Sequence, residues 1–195
     1  MNAAIEVLLT SRPLERIESE IAVAGFFAED RPLRSGAARA DWRLCGGLSR
    51  RIERGDLSGK SGEALLIGCG RALRAPRLML LGLGDRHAFD QVRATDEMRA
   101  ALDRCRRLQL CRVAMSPLGI ASDDLPRHGA SLIEGSREAW RDAEKTLHLR
   151  FCVPRAEIAG VQKAFEAAAR AAGLERFTVG TAEAEAGRLA PRGPV

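Results

Sequence analysis

Short apolar runs and stretches of helical periodicity take turns along this chain, and that alternation restricts it to a sheet with helices packed on its faces. Residues 63–67 (EALLI) and 77–83 (RLMLLGL) are almost continuously apolar, the pattern of strands buried on both faces. Residues 3–9, 20–28 and 111–115 read as further strands, with Ile21, Val23 and Phe27 supplying β-branched and aromatic content. In residues 147–153, Leu147, Leu149, Phe151 and Val153 alternate with His148, Arg150 and Cys152, which predicts one core face and one wetter face. Residues 176–179 supply a last strand.

Four helices are predicted between these runs. In residues 37–54, Ala38, Trp42, Cys45, Leu48 and Ile52 recur at steps of three and four and share a face. Gly46 and Gly47 cost such a helix roughly 1 kcal/mol each against Ala, which points to close packing on the sheet. Gly55 is placed to end it in a left-handed conformation. Residues 90–108 carry an inward stripe of Val92, Thr95, Met98, Leu102, Cys105 and Leu108, with Glu97, Arg99, Asp103 and Arg106 outward. Residues 129–143 bury Ile133, Trp140 and Ala143. After Pro154 a helix runs to residue 172, with Ile158, Val161, Phe165 and Ala168 inward and Gly173 at its end. The expected architecture is an α/β sandwich on a mixed, mostly parallel sheet. At 195 residues the chain fits one domain, residues 1–180, followed by a flexible tail over residues 181–195.

Charge and cysteine usage narrow the function. The net charge is +5, and the basic residues are nearly all Arg; only Lys60, Lys145 and Lys163 are Lys. The densest cluster, Arg104, Arg106 and Arg107, has helical spacing and reads as a solvated helix face. With no nucleic-acid-binding signature and no Tyr, nucleic acid is not an expected partner. Five cysteines form no C-x-x-C pair. Cys45, Cys69, Cys105 and Cys152 sit among apolar neighbours and read as small buried hydrophobes. His87, His128 and His148 lie far apart, so neither a metal nor a cofactor is expected. The first nine residues lack a basic start and a long apolar core, and no run is long enough to cross a membrane, so the expected compartment is the cytoplasm.

No residues complete an active site. Ser49, Ser58, Ser116, Ser131 and Ser136 lack a G-x-S-x-G context. Asp123 and Asp124 lie in a polar loop before Pro126 and read as solvated. Cys69, in I-G-C-G-R, is the thiol worth testing, because a neighbouring Arg favours a thiolate.

From Trp42 the chain reads W-R-L-C-G-G-L-S-R-R-I-E-R-G-D-L-S-G-K-S-G-E-A-L-L-I, and from Ala75 to Asp85 it reads A-P-R-L-M-L-L-G-L-G-D. These segments resemble the amino-terminal domain of the leucyl aminopeptidase (cytosol aminopeptidase) family. There a helix ends in a Gly-Asp-Phe-x-Gly-like turn, followed by a Gly-Glu strand and a strand closing in Gly-Leu-Gly-Lys. The matching positions are Gly55, Asp56, Leu57, Gly59, Lys60, Gly62, Glu63, Gly82, Leu83, Gly84 and Asp85, the last replacing a basic residue. The resemblance is specific over residues 40–120. It implies a macro-domain-like, three-layer α/β/α fold whose role in the complete enzymes is noncatalytic and concerns subunit arrangement. Peptidase chemistry there belongs to a separate carboxy-terminal domain holding two metal ions, and none of its ligands can be assigned here. Residues 181–189 (TAEAEAGRL) echo the family's metal loop but lack its first Asp.

Two functions follow as expectations. One is a stand-alone noncatalytic domain acting in assembly, as a homo-oligomer or docked on a separate aminopeptidase catalytic chain. The other is binding of a small anionic ligand such as a nucleotide or ADP-ribose. Its expected site is Gly68, Gly70, Gly82, Gly84 and Asp85, in loops at the carboxyl ends of strands near helix N-termini. Each of these glycines also reads as a tight turn and nothing more.

Overall fold

A computed structural model describes residues 3–121 and 123–182. Seven strands form one sheet: β1 (Ile5–Thr10), β2 (Ile21–Phe26), β3 (Ala64–Gly68), β4 (Arg77–Gly82), β5 (Arg112–Met115), β6 (Leu147–Cys152) and β7 (Phe177–Thr181). Their spatial order is β3-β4-β2-β5-β6-β1-β7, and only the edge pair β3–β4 is antiparallel. Helices α1 (Ser35–Arg43) and α2 (Gly47–Glu53) pack on one face; α3 (Gln91–Arg107), α4 (Gly129–Trp140) and α5 (Ile158–Ala171) pack on the other. The three-layer α/β/α expectation holds. Most of the expected tail, with its metal-loop echo, lies outside the described residues.

The strand pattern sorts the core. Along β2, Ile21 and Val23 enter the larger cluster under α3–α5, while Ala22, Ala24 and Phe26 enter the smaller one under α1 and α2. Burying Phe26 or Phe27 contributes about 1.5–3 kcal/mol each. Along β6, Leu147, Leu149 and Phe151 are buried and His148 and Arg150 exposed, as the alternation predicts.

Three local expectations fail for physical reasons. The single helix over residues 37–54 is two helices, because Cys45 (φ 53°) and Gly46 (φ 75°) both turn left-handed. Asp41 supports the break: its carboxylate accepts the Leu48 and Ser49 N–H groups at 2.8 and 3.2 Å and so caps α2. The break leaves Trp42 76% exposed and Cys45 exposed, and Gly46 and Gly47 face arginine and leucine side chains instead of the sheet. In α3 the buried face is rotated onto Ala94, Met98, Ala101, Leu102 and Cys105 and includes Glu97, while Val92 and Leu108 are exposed. The cause is close approach to α4, where a Cβ on Gly135 would lie 2.5 Å from the Thr95 carbonyl oxygen. Finally, β3 is an edge strand with Leu66 exposed, not a strand buried on both faces.

One region of the sheet stays uncovered. Helices α1 and α2 lie over the β4–β2 side of their face, while β6, β1 and β7 present Glu6, His148, Arg150 and Thr178 to solvent there.

Candidate functional site

Ligands of open α/β sheets settle where the connections leaving neighbouring strands diverge to opposite faces. Here β2 leads to α1 on one face, whereas its neighbours β4 and β5 lead to α3 and α4 on the other. The crevice at these carboxyl ends is filled by the chain itself. Phe27, Leu83 and Leu118 are buried in it, and a Cβ on Gly119 would lie 2.5 Å from the Phe27 ring. Phe89 meets Phe27 edge-on at 5.2 Å, and the Arg86 guanidinium lies 4.2 Å from the Phe27 ring centroid. The buried Asp30 carboxylate accepts the Phe27 N–H at 3.0 Å and pairs with Arg86 at 2.5 Å and Arg34 at 3.5 Å. Its charge is thereby satisfied from within.

The glycine-rich signature builds the wall of this crevice. Before β3 the chain forms a nest of N–H groups, and Glu63 fills it. Its carboxylate accepts the N–H groups of Ser58, Gly59 and Lys60 at 2.8, 2.9 and 3.2 Å and the Ser58 hydroxyl at 2.8 Å. Burial pulls the Glu63 carboxyl upward, but the Ser58 hydroxyl and the three backbone donors outweigh it and hold the group below its ordinary value. Gly84 N–H donates to the Gly59 carbonyl at 2.8 Å, and Ala28 N–H to the Gly84 carbonyl at 2.9 Å. The loop therefore lies directly on the ends of β2 and β4. A Cβ on Gly82 would sit 2.2 Å from the Lys60 carbonyl oxygen, and one on Gly59 2.7 Å from the Ala28 Cα. From the same loop, the Ser61 hydroxyl donates to buried Glu97 at 2.6 Å, a partnership hidden by the outward position the helical pattern predicts for Glu97.

The expected ligand residues divide between two edges. Gly82, Gly84 and Asp85 lie at the carboxyl ends of the parallel strands, and Asp85 accepts the His87 N–H at 2.8 Å. Because β3 runs antiparallel, Gly68 pairs with Arg77 at the start of β4, so Gly68 and Gly70 lie at the opposite edge. The two loops do not converge. Cys69 is buried, as its apolar neighbours predict, and desolvation pushes its thiol up, against the alternative of an Arg-favoured thiolate. Burial likewise pushes Cys105 up to about 12, and burial with the Glu15 charge does the same for Cys152. Cys45 is exposed, contrary to the expected burial. Asp124 pairs with Arg127 at 3.5 Å. Among the described residues no three His, Cys, Asp or Glu side chains gather as a metal site.

Open concave surface lies elsewhere on the molecule. A cleft of about 800 Å³ runs over the uncovered strands, bordered by Glu6, Arg112, His148, Arg150 and Thr178. A second, of about 630 Å³, lies between the 3-10 turn Leu14–Arg16, the end of α1 and the β3–β4 loop. Arg12, Arg16, Arg43, Arg71 and Arg74 line it with Trp42. Sequence reading missed this group, since its members come from three separate segments and carry no spacing signal.

No helix among the described residues is long and apolar enough to cross a membrane. Comparisons with known proteins agree with the geometry. The tomato leucine aminopeptidase structure superposes over 87% of this chain and 37% of its own with a TM-score of 0.64 at 16% identity. The macrodomain of Thermus aquaticus DarG superposes over 77% of this chain and 99% of its own with a TM-score of 0.59 at 15% identity. Both likenesses concern the fold. A probable cytosol aminopeptidase of Nitrosococcus oceani is 34% identical over 103 residues, which is 53% of this chain and 20% of that protein. The chain thus spans about a fifth of the length of that curated relative. A sequence profile described as the cytosol aminopeptidase family's N-terminal domain matches residues 23–142, more than half of the chain, and the chain belongs to that family through this domain.

Proposed function

We propose that this chain is a noncatalytic assembly module that docks through the uncovered part of its sheet. Its partner is the metal-bearing catalytic unit of an aminopeptidase, on the same polypeptide or on another, in the cytoplasm. The carrying observation is the bare face of β6, β1 and β7, since sheets of this class normally have both faces covered. The face is mixed and largely self-paired: His148 Nδ1 lies 2.8 Å from Glu6, and the Arg150 guanidinium donates to the Glu18 carbonyl at 3.3 Å. Such polarity suits a domain–domain contact better than an obligate apolar one. Family membership and the greater length of the matched relatives support a catalytic unit as the occupant, with self-association as the other partner of this kind.

Sedimentation of the chain alone, and mixed with a cytosol aminopeptidase catalytic unit freed of its own N-terminal domain, tests this. A complex is expected that Arg150→Glu weakens without unfolding the chain. A strictly monomeric chain that ignores the catalytic unit would sink the proposal, as would peptide hydrolysis by the chain with retained stoichiometric zinc or manganese. The likeness to macrodomains supports a second reading, a small anionic ligand at Gly82, Gly84 and Asp85. The filled crevice weighs against it, and calorimetric titration with ADP-ribose is expected to be silent.

A further inference from the structure

The second cleft has a chemistry that assembly does not use. Its lining brings Arg12 and Arg16 from the crossing after β1, Trp42 and Arg43 from the end of α1, and Arg71 and Arg74 from the β3–β4 loop. The one acid in that lining, Glu15, is mostly buried and lies 3.6 Å from Arg39, so the mouth presents cations. Arg43 is tied by its Nε to the Ala72 carbonyl at 2.9 Å and lies 6.0 Å from the Trp42 ring, and Arg74 lies 3.9 Å from Glu18. Arg12, Arg16 and Arg71 have no ion pair among the described residues. The contrast with α3 is direct: there Arg106 and Arg107 both pair with Asp103, at 2.6 and 2.8 Å.

We infer that this cleft binds nucleotide units of a single strand, with phosphates on the unpaired guanidinium groups and a base stacked on Trp42. Guanidinium forks match phosphate oxygens bidentately, which suits a lining whose cations are all Arg. The indole decides between classes of anion. An acidic peptide side chain offers it no flat ring, whereas every base does. Trp42 is 76% exposed, far beyond what packing requires of so large an apolar ring, and it borders the cleft. The proposal does not depend on the assembly reading; its surface adjoins the proposed docking face, and the two share Arg74.

Intrinsic fluorescence provides a local readout, because the other tryptophan, Trp140, is only 3% exposed. The full chain is titrated with a short labelled oligothymidylate, with thymidine monophosphate and with a polyglutamate peptide. Binding of the oligonucleotide is expected to quench Trp42 and to weaken from about 50 to 200 mM salt. Trp42→Ala is expected to weaken it roughly tenfold. Arg16→Ala and Arg71→Ala should each lower the salt slope by about 0.7, the value for one phosphate contact on a single strand. Arg107→Ala, an equally exposed but paired cation, should leave binding unchanged. If the monophosphate competes nearly as well as the strand, the ligand is a single nucleotide; if only the strand binds, it is a polymer, and both outcomes uphold the site. Absence of quenching, equal loss in Arg107→Ala, or equal competition by polyglutamate would overturn it.

Discussion

The carboxyl edge of the sheet and the arginine-lined cleft treat polar groups in opposite ways. At the edge, each carboxylate described above has partners inside the fold: buried Asp30 has Phe27 N–H and Arg86, half-buried Glu63 has three N–H groups, buried Glu97 has Ser61. In the cleft, Arg12, Arg16 and Arg71 face solvent unpaired among the described residues. Groups that the fold consumes cannot also greet a ligand. The difference separates residues that make the domain from residues free to act, and the glycines and Glu63 of the family signature lie at the consumed edge.

The sharpest way to break this contrast is Gly82→Ala. Its Cβ would press on the Lys60 carbonyl oxygen at 2.2 Å and the Gly59 carbonyl carbon at 2.7 Å, and backbone cannot swing aside as a side chain can. A loss of about 3 kcal/mol is expected, from overpacking. For a chain of this size that lowers Tm by roughly 6–12 °C. Gly68→Ala is the matched control, since its Cβ enters open space. Equal melting of the two variants would show that the Gly-Leu-Gly segment is not a packing device.

Glu63→Gln asks whether the nest depends on charge. The substitution weakens three N–H contacts to a neutral acceptor and is expected to cost about 1–2 kcal/mol at neutral pH. The sign with pH follows from the depressed carboxyl. Its stabilisation is complete above the ordinary value of 4.5 and disappears as pH falls through the lower folded value. Glu20 behaves alike: burial raises it, but donation from Arg112 and Cys111 N–H and the Arg112 charge leave it lowered. Melting curves below about pH 5 should therefore fall less steeply in the variant than in the parent. Parallel acid limbs would break the claim that Glu63 is held ionised by its nest.

These two regions were not equally legible in the sequence. Gly59, Gly82 and Glu63 stand out because local backbone geometry dictates their type, so a motif records them. The strands and the later helices were readable for the same local reason. The helix break was not, because the period of Ala38, Trp42, Leu48 and Ile52 runs through it, and the Asp41 cap acts at a distance of seven residues. The reversal of β3, which parts Gly68 and Gly70 from Gly82 and Gly84, is a pairing choice invisible to periodicity. The cleft was illegible for a further reason: Arg12, Trp42 and Arg71 meet only through the fold, and exposed Arg imposes no pattern on its neighbours.

Cys45 lies at the boundary of the cleft segment and sharpens the comparison from the side of strain. It ends α1 in a left-handed conformation, with its N–H on the Trp42 carbonyl at 3.1 Å and the Gly46 N–H on the Asp41 carbonyl at 2.9 Å. A non-glycine residue there costs about 1–2 kcal/mol, part of which glycine returns through unfolded-chain entropy. Cys45→Gly is expected to stabilise by about 0.5–1 kcal/mol. It should also abolish the fastest thiol reaction with a disulfide reagent, since Cys69 and Cys105 are buried and Cys111 and Cys152 half-buried. Fast labelling that survives the substitution would place the accessible thiol elsewhere.

The smallest expected effect matters most for the contrast. Trp42→Ala should change stability by no more than about 0.5 kcal/mol in chemical denaturation, because the ring is 76% exposed and belongs to neither core cluster. A tryptophan normally contributes heavily to the structure that holds it. One that contributes almost nothing, beside Arg12, Arg16 and Arg71, which have no ion pair among the described residues, is surface left free to act. If the variant instead lost stability on the scale of Gly82→Ala, Trp42 and the adjoining loops would be packing partners, and the cleft would belong with the consumed edge rather than opposite it.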